Sequence, residues 1–319
     1  MIKAIAITGP TASGKTDLSI GLAKRLGCEI ISLDSMQIYK GMDIGTAKAT
    51  ASEQAAAKHH MLDILSPTES FSAGAYKAMA LPIAEDISGR GKIPLFVGGT
   101  GLYLSTLMRP DCECPPESDR EYREKIEATL TTEKDRIALW ERLYSVDRAS
   151  ADAVHYNNVR RVIRALEIYD KTGKTKTYFD ELTKRESDKI KVFHITIDFH
   201  SRDILYSRVD QRVDRMMKDG LLDEVEGLYN DGLLDDATTA AQAIGYKELK
   251  AYIEGKITLP EAIEEIKKAS RNYAKRQLTW FRMQSGAHTV FKDTEDGKIK
   301  SDYAMLCECC DLLRNNGFI

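Results

Sequence analysis

Hydrophobic residues in the first hundred positions fall into short runs and helical stripes that alternate along the chain. The run IKAIAIT (2–8) has the length and continuity of one buried parallel strand. From 15 to 26 apolar side chains return at helical spacing, as Leu18, Leu22, Ala23 and Leu26, and Gly27 follows where such a helix would stop. CEIISLD (28–34) predicts a second strand, MLDIL (61–65) a short third and IPLFVGG (93–99) a fourth. Between the last two, residues 72–88 predict a helix with Ala75, Met79, Ile83 and Ile87 on one face, and LYLSTLM (102–108) opens another. Strands alternating with helices predict the α/β class, with a parallel sheet covered on both faces.

After residue 110 the pattern changes. RPDCECPPESD (109–119) is rich in turn formers, and 118 to about 185 is mostly helical and densely charged. KVFHITIDF (191–199) returns to strand character. The expected organisation is a core formed by 1–114 and 191–319, interrupted by a mostly helical insertion at 115–190.

Composition bounds the reading without deciding it. The chain has 319 residues, 43% hydrophobic and 30% charged, as ordinary soluble domains have. It contains no run of 18 apolar residues, so no transmembrane helix is expected, and MIKAIAITGP reads as a first strand rather than a leader. A cytoplasmic monomer is the expectation. The net charge of −3 means that a nucleic-acid partner would need a local basic surface. Cys28, Cys112, Cys114, Cys307, Cys309 and Cys310 form no CxxC pair near a histidine, so zinc spacing is not met. Reduced thiols are expected, with CECC on a C-terminal helix.

Candidate chemistry begins at GPTASGKT (9–16), where Gly9, Gly14, Lys15 and Thr16 match G-x-x-x-x-G-K-[ST] between a predicted strand and a predicted helix. Glycines let several backbone N–H groups face one anion, and the helix dipole adds to them. All eight residues (Gly9, Pro10, Thr11, Ala12, Ser13, Gly14, Lys15 and Thr16) are therefore candidate phosphate ligands. Lys15 brings a mobile cation, and Thr16 a hydroxyl suited to Mg²⁺. The fold class follows: a parallel sheet of the P-loop NTPase-like type, flanked by helices.

Four further stretches could carry function. Asp34 falls at the carboxyl end of a predicted strand, where α/β sheets bind ligands. There it could meet Mg²⁺ through water, act as a general base or cap a turn. Gly98, Gly99, Thr100 and Gly101 crowd small residues at the next strand end, suiting either close backbone approach to a ligand or a plain turn. Arg208, Arg212 and Arg215 share a helix face, yet Asp210, Asp214 and Asp223 are interleaved with them. A phosphate-reaching arginine and a salt-bridged solvent face are equally compatible with that spacing. Residues 266–282 carry six basic side chains and no acidic one, which favours a polyanion over a solvated face.

Seven stretches occur in a familiar order: GPTASGKT, DSMQIYKGMDIGTAK, HHMLDI, VGGTGLYL, VRRVIRALEIYDKTGKT, QAIGYKE and RNYAKRQLTWFR. Together they resemble the tRNA dimethylallyltransferases, or tRNA isopentenyltransferases, over nearly the full length. The resemblance implies that the phosphate loop holds the diphosphate of dimethylallyl diphosphate rather than a nucleoside triphosphate. The implied acceptor is N6 of the adenosine on the 3′ side of a tRNA anticodon. Asp34 would be the general base and a contact to the target base. Lys15, Thr11 and an arginine, Arg212 ahead of Arg208, would neutralise the leaving diphosphate with Mg²⁺ at Thr16. Ser35, Met36, Gln37 and Thr100 would meet the tRNA beside Asp34. Arg123, Arg160, Arg161 and Arg164 of the insertion would grip the anticodon stem, joined by Gln242, Gly245, Tyr246, Lys247, Arg271, Lys275 and Arg276. Many eukaryotic members end in a C2H2 zinc finger, which CECC without a following histidine pair does not match, so the chain resembles the bacterial type. Three rivals remain in view: a small-molecule kinase using ATP, a prenyltransferase acting on free adenine nucleotides, and an RNA-binding protein without activity.

Overall fold

Six parallel strands form one sheet in the order β3-β2-β4-β1-β5-β6. They are β1 (Ile2–Thr8), β2 (Cys28–Ser32), β3 (His59–His60), β4 (Ile93–Gly98), β5 (Ile190–Asp198) and β6 (His288–Phe291). The computed structural model describes residues 1–111, 115–116, 118–183, 187–235 and 238–319. Cys112 and Cys114 lie outside them. No helix among the described residues is long and apolar enough to cross a membrane.

The chain divides into two compact units, one made of Met1–Leu107 with Lys189–Ile319, the other of Met108–Asp188. In the first, α1 (Lys15–Leu26), α2 (Ala51–Ala56), α3 (Ala73–Gly89) and α4 (Gly101–Leu107) connect the strands. The second is built from α5 (Arg120–Glu127), α6 (Glu133–Val146), α7 (Arg148–Asp152), α8 (Val159–Thr172) and α9 (Lys176–Leu182). The first unit resumes after β5 with α10 (Arg202–Lys218), α11 (Leu221–Asn230), α12 (Tyr246–Ile253) and α13 (Leu259–Arg282), and closes with α14 (Asp302–Asn315) after β6.

β1 buries every residue but Lys3, as a central strand covered on both faces must. One core joins Ile5, Ile7, Leu95, Ile195 and Ile197 of the sheet to Leu18 and Leu22 of α1 and Met305 and Leu313 of α14. Cys309 and Cys310 of α14 belong to this core with Cys28 of β2, and these three and Cys307 are free cysteines. A second core packs Ile38, Tyr39 and Met42 against Val213, Leu221, Val225, Tyr246 and Ile266, fastening the segment after β2 to α10–α13.

Two expectations need correction, and one strand was not expected. The third strand is His59–His60, paired with Ile30 and Ile31, not 61–65, where only Leu65 makes an isolated bridge to Tyr39. Met61 and Asp63 adopt φ of 63° and 54°, which breaks any extended run there. The buried face of α3 is Tyr76, Ala80, Ala84 and Ile87, while Met79 is exposed. Tyr76 stacks on Tyr103 of α4 with ring centroids 4.3 Å apart, and this contact rotates the helix away from the face suggested by its aliphatic side chains. β6 has no counterpart in the sequence reading, because four residues are too few for alternation to register.

Candidate active site

β1 ends at Thr8, and the next eight residues wrap back into α1. Gly9 has φ 147°, and a Cβ there would lie 2.8 Å from the carbonyl oxygen of Ile197, so only glycine fits. Gly14, at φ 86°, is the N-cap of α1 and supplies no side-chain cap, so no side chain of the cap competes for the first N–H groups. Ala12 is left-handed at φ 63° without being glycine. Such strain persists only when neighbours fix it, and here Arg208 Nε donates to the Ala12 carbonyl at 2.9 Å. Lys15 Nζ folds over the loop, donating to the carbonyls of Gly9 (3.1 Å) and Pro10 (2.6 Å).

This loop forms one wall of a cavity of about 1330 Å³ within the first unit. Asp34, Ser35, Met36 and Gln37 form another wall. They are held by a turn in which Met36 N donates to Asp34 Oδ1 (2.9 Å) and Ser35 N to Thr100 Oγ1 (3.1 Å). Gln37 Nε2 reaches the carbonyls of Thr46 and Ala47. Gly98 is required by packing, since a Cβ would sit 2.4 Å from the Leu33 carbonyl oxygen. α10 contributes Arg208, Arg212 and Arg215 to the same cavity, and α13 contributes Tyr273, Arg276 and Gln277.

The interleaved acids of α10 do not neutralise those arginines. Asp210 accepts from Arg271, and Asp214 pairs with Lys267 at 2.7 Å, both on α13. The acidic and arginine faces of α10 are therefore separate: Asp210 and Asp214 pair with α13, while Arg208, Arg212 and the exposed Arg215 line the cavity. The same pairs correct the reading of 266–282 as a stripe without compensating carboxylates. Lys267, Arg271 and Arg282 are all neutralised, the last by Asp198 at 2.7 Å. Lys268, Lys275 and Arg276 remain exposed.

Electrostatics inside the cavity favour an incoming anion. Burial, and then the charge of Arg212, push the Lys15 ammonium down to about 7, with Asp34 opposing. Burial also lowers Arg212, again with Asp34 opposing and Arg215 reinforcing the shift. Two desolvated cations thus share one carboxylate, an arrangement that a polyanion would relieve.

Other expected contacts fall elsewhere. Arg160 and Arg161 are exposed on α8, whereas Arg123 and Arg164 converge on the fully buried Glu167 at 3.1 and 2.9 Å. Burial alone would raise Glu167; the Asp119 N–H and these guanidiniums hold its carboxyl below the usual range. In this structure Arg123 and Arg164 therefore brace the core of the second unit rather than stand free for RNA. Gln242 lines the cavity and Lys247 is exposed. Gly245 is buried, as the N-cap of α12, and Tyr246 is fully buried with its hydroxyl on Glu224 Oε1 at 2.5 Å. Gly245 and Tyr246 line the cavity together with Gln242.

Three residues that sequence reasoning missed complete the site. Glu224 accepts N–H bonds from Asp43, Ile44 and Gly45 at 3.0, 2.7 and 3.1 Å, clasping the segment that carries Thr46 and Ala47. Gln277 accepts from Thr11 N at 2.8 Å and donates to the Gly99 carbonyl at 3.0 Å. Tyr273, one turn earlier on α13, is held protonated by burial and by the charge of Asp34. Tyr273 and Gln277 lie inside RNYAKRQLTWFR, where the basic residues drew attention and the neutral ones did not.

Comparison with known proteins places these features in context. The family described as IPP transferase matches residues 37–284. The tRNA dimethylallyltransferase of Anoxybacillus flavithermus is 49% identical over 283 residues, 88% of each chain. That of Bacillus velezensis is 48% identical over 279 residues, 87% of each. Among solved structures, the tRNA delta(2)-isopentenylpyrophosphate transferase of Staphylococcus epidermidis superposes with a TM-score of 0.71 at 40% identity, covering 99% of this chain and 100% of that one. A eukaryotic dimethylallyltransferase acting on tRNA gives a TM-score of 0.73 at 31% identity, covering 91% and 74%.

Proposed function

The chain belongs to the IPP transferase family and is a prenyltransferase that modifies tRNA, and from that premise we propose the donor, the acceptor atom and the residues that act. The donor is dimethylallyl diphosphate. The acceptor is N6 of the adenosine 3′-adjacent to the anticodon. A new N6–C1 bond forms, the bond from C1 to the diphosphate oxygen breaks, and one N6 proton leaves. The observation that carries this reading is that Asp34 lines the same cavity as Lys15 and Arg212.

Each residue then has a defined task. The loop N–H groups of 12–16 and Lys15 hold the diphosphate, whose charge grows as C1 departs. Arg212 is better placed than Arg208 to follow that charge, because Arg208 already holds Ala12 through Nε. Asp34 accepts the proton from N6, a weak nucleophile until it is deprotonated. Ser35, Met36, Gln37 and Thr100 surround the base, which must leave its stack to enter. The exposed Arg160, Arg161, Lys275 and Arg276 suit the RNA backbone.

Thr16 lines the cavity, and no cluster of three His, Cys, Asp or Glu side chains gathers among the described residues. That donor set fits Mg²⁺ held by one hydroxyl, diphosphate oxygens and water. The ion would supply further neutralisation of the leaving group.

The test is a competition of acceptors. Carbon-labelled dimethylallyl diphosphate is offered with unmodified tRNA and with AMP. Label in N6-dimethylallyladenosine of the tRNA supports the reading; label in AMP alone would overturn it.

A further inference from the structure

We propose that Gln277 is a positioning residue that sets the register between the loop holding the donor diphosphate and the loop beside the acceptor base. The inference rests on the prenyl-transfer reading above. Gln277 lies on α13 and is only 6% exposed. Its amide uses both ends on backbone: Oε1 accepts from Thr11 N at 2.8 Å, and Nε2 donates to the Gly99 carbonyl at 3.0 Å. One planar group therefore joins the loops that follow β1 and β4. The connection continues, because Thr100 follows Gly99 and accepts the N–H of Ser35, the neighbour of Asp34, at 3.1 Å. Thr100 N in turn donates to the Leu33 carbonyl at 3.0 Å. An unbroken path of hydrogen bonds and peptide units thus runs from the phosphate loop to Asp34.

The fit leaves no slack. A Cβ on Gly99 would lie 2.1 Å from Gln277 Nε2. The amide accepts at one end and donates at the other, which neither a thioether nor a carboxylate of that length can do. Methionine has similar length and would leave Thr11 N and the Gly99 carbonyl without this partner. Glutamate would still accept from Thr11 N but would set an acceptor against the Gly99 carbonyl. Since carbon and nitrogen must meet at near-bonding distance, a shift of about 1 Å between the loops costs roughly 10²-fold in rate.

The experiment measures the single-turnover rate of transfer at saturating donor and tRNA, with the Kd of each substrate and the Tm measured separately. Gln277→Met and Gln277→Glu should both slow the chemical step by roughly 10- to 100-fold, with both Kd values little changed. Gly99→Ala should slow wild-type enzyme similarly, yet cost little more in a Gln277→Ala background, where the added methyl group finds room. That cycle reads the role even if the methionine variant folds poorly. Folded Gln277 variants with an unaltered rate would overturn the proposal, as would a loss traced entirely to substrate affinity or a Gly99→Ala cost that persists in full without Gln277. A wild-type enzyme that transfers nothing would instead overturn the prenyl-transfer reading, and this role with it.

Discussion

Arg271 Nη1 lies 2.6 and 2.7 Å from the two carboxylate oxygens of Asp210, across the contact between α13 and α10. Together with the Lys267–Asp214 pair, it fixes the rotation of both helices about their axes. Asp210 and Asp214 are drawn to α13, and Arg208, Arg212 and Arg215 are left facing the cavity. The basic helix loses part of its apparent charge by the same contact, and its exposed cations without an ion pair among the described residues are Lys268, Lys275 and Arg276.

That division predicts unequal mutants. Lys275→Ala should weaken tRNA binding and reduce the slope of log K against log salt by about one. Arg271→Ala should change the slope less, because Asp210 already neutralises its charge. Equal slopes for the two variants, measured by titration between 50 and 200 mM salt as a rough working range, would contradict this account.

Asp34→Asn should lower kcat by roughly 10²–10⁴-fold, the usual range for a lost acid–base group. Asparagine can still accept the Met36 N–H, so the turn should survive and the tRNA Kd should change little. Unchanged turnover in a rapid-quench assay would remove Asp34 from the role of base.

Lys15 predicts a pH dependence of donor binding. Its ammonium is pushed down to about 7 in the free site by burial and Arg212, so above that pH it is largely neutral. An arriving diphosphate favours the charged form, and binding must take up a proton. At pH 8, calorimetry in buffers of different ionisation enthalpy should show uptake by the wild type that Lys15→Arg, with its permanently charged guanidinium, abolishes. The sign for stability is the opposite of a salt-bridged lysine. The folded state binds fewer protons between about 7 and 10.5, so stability of the unliganded protein rises with pH across that window. No proton uptake at pH 8 would contradict the desolvated lysine.

His194 predicts an acid limit. Buried beneath the loop against Thr8 (2.7 Å) and Thr196 (3.1 Å), it is pushed down to about 4 by burial and then by His288. The unfolded chain takes a proton near 6.5 that the fold refuses. Stability should be intact above 6.5 and fall as pH drops towards 4, by about 1.4 kcal/mol per unit from this residue. His194→Gln should flatten that part of the Tm-against-pH curve; parallel curves would contradict it.

Local signals were legible in the sequence and distant ones were not. The phosphate loop, α1 and Asp34 at a strand end could be read because strand, turn and helix signals are contiguous there. The carboxylates that neutralise 266–282 lie far away in sequence, on α10 and β5, so their effect was invisible to a count within seventeen residues. The burial of Tyr246 depends on a distant glycine, since a Cβ at Gly45 would lie 2.5 Å from the Tyr246 ring. Gln277 carries no charge and breaks no periodicity, and only the backbone atoms it joins disclose it.

The central claim is that this phosphate loop holds a leaving group, and the identity of the bond that breaks tests it most directly. Dimethylallyl diphosphate labelled at C1 with ¹⁴C and at the β-phosphorus with ³²P is turned over once with unmodified tRNA. The account predicts ¹⁴C in the tRNA and an equal amount of ³²P in free diphosphate. Phosphorus label in the tRNA, or carbon label released as the free alcohol with none in the tRNA, would contradict it.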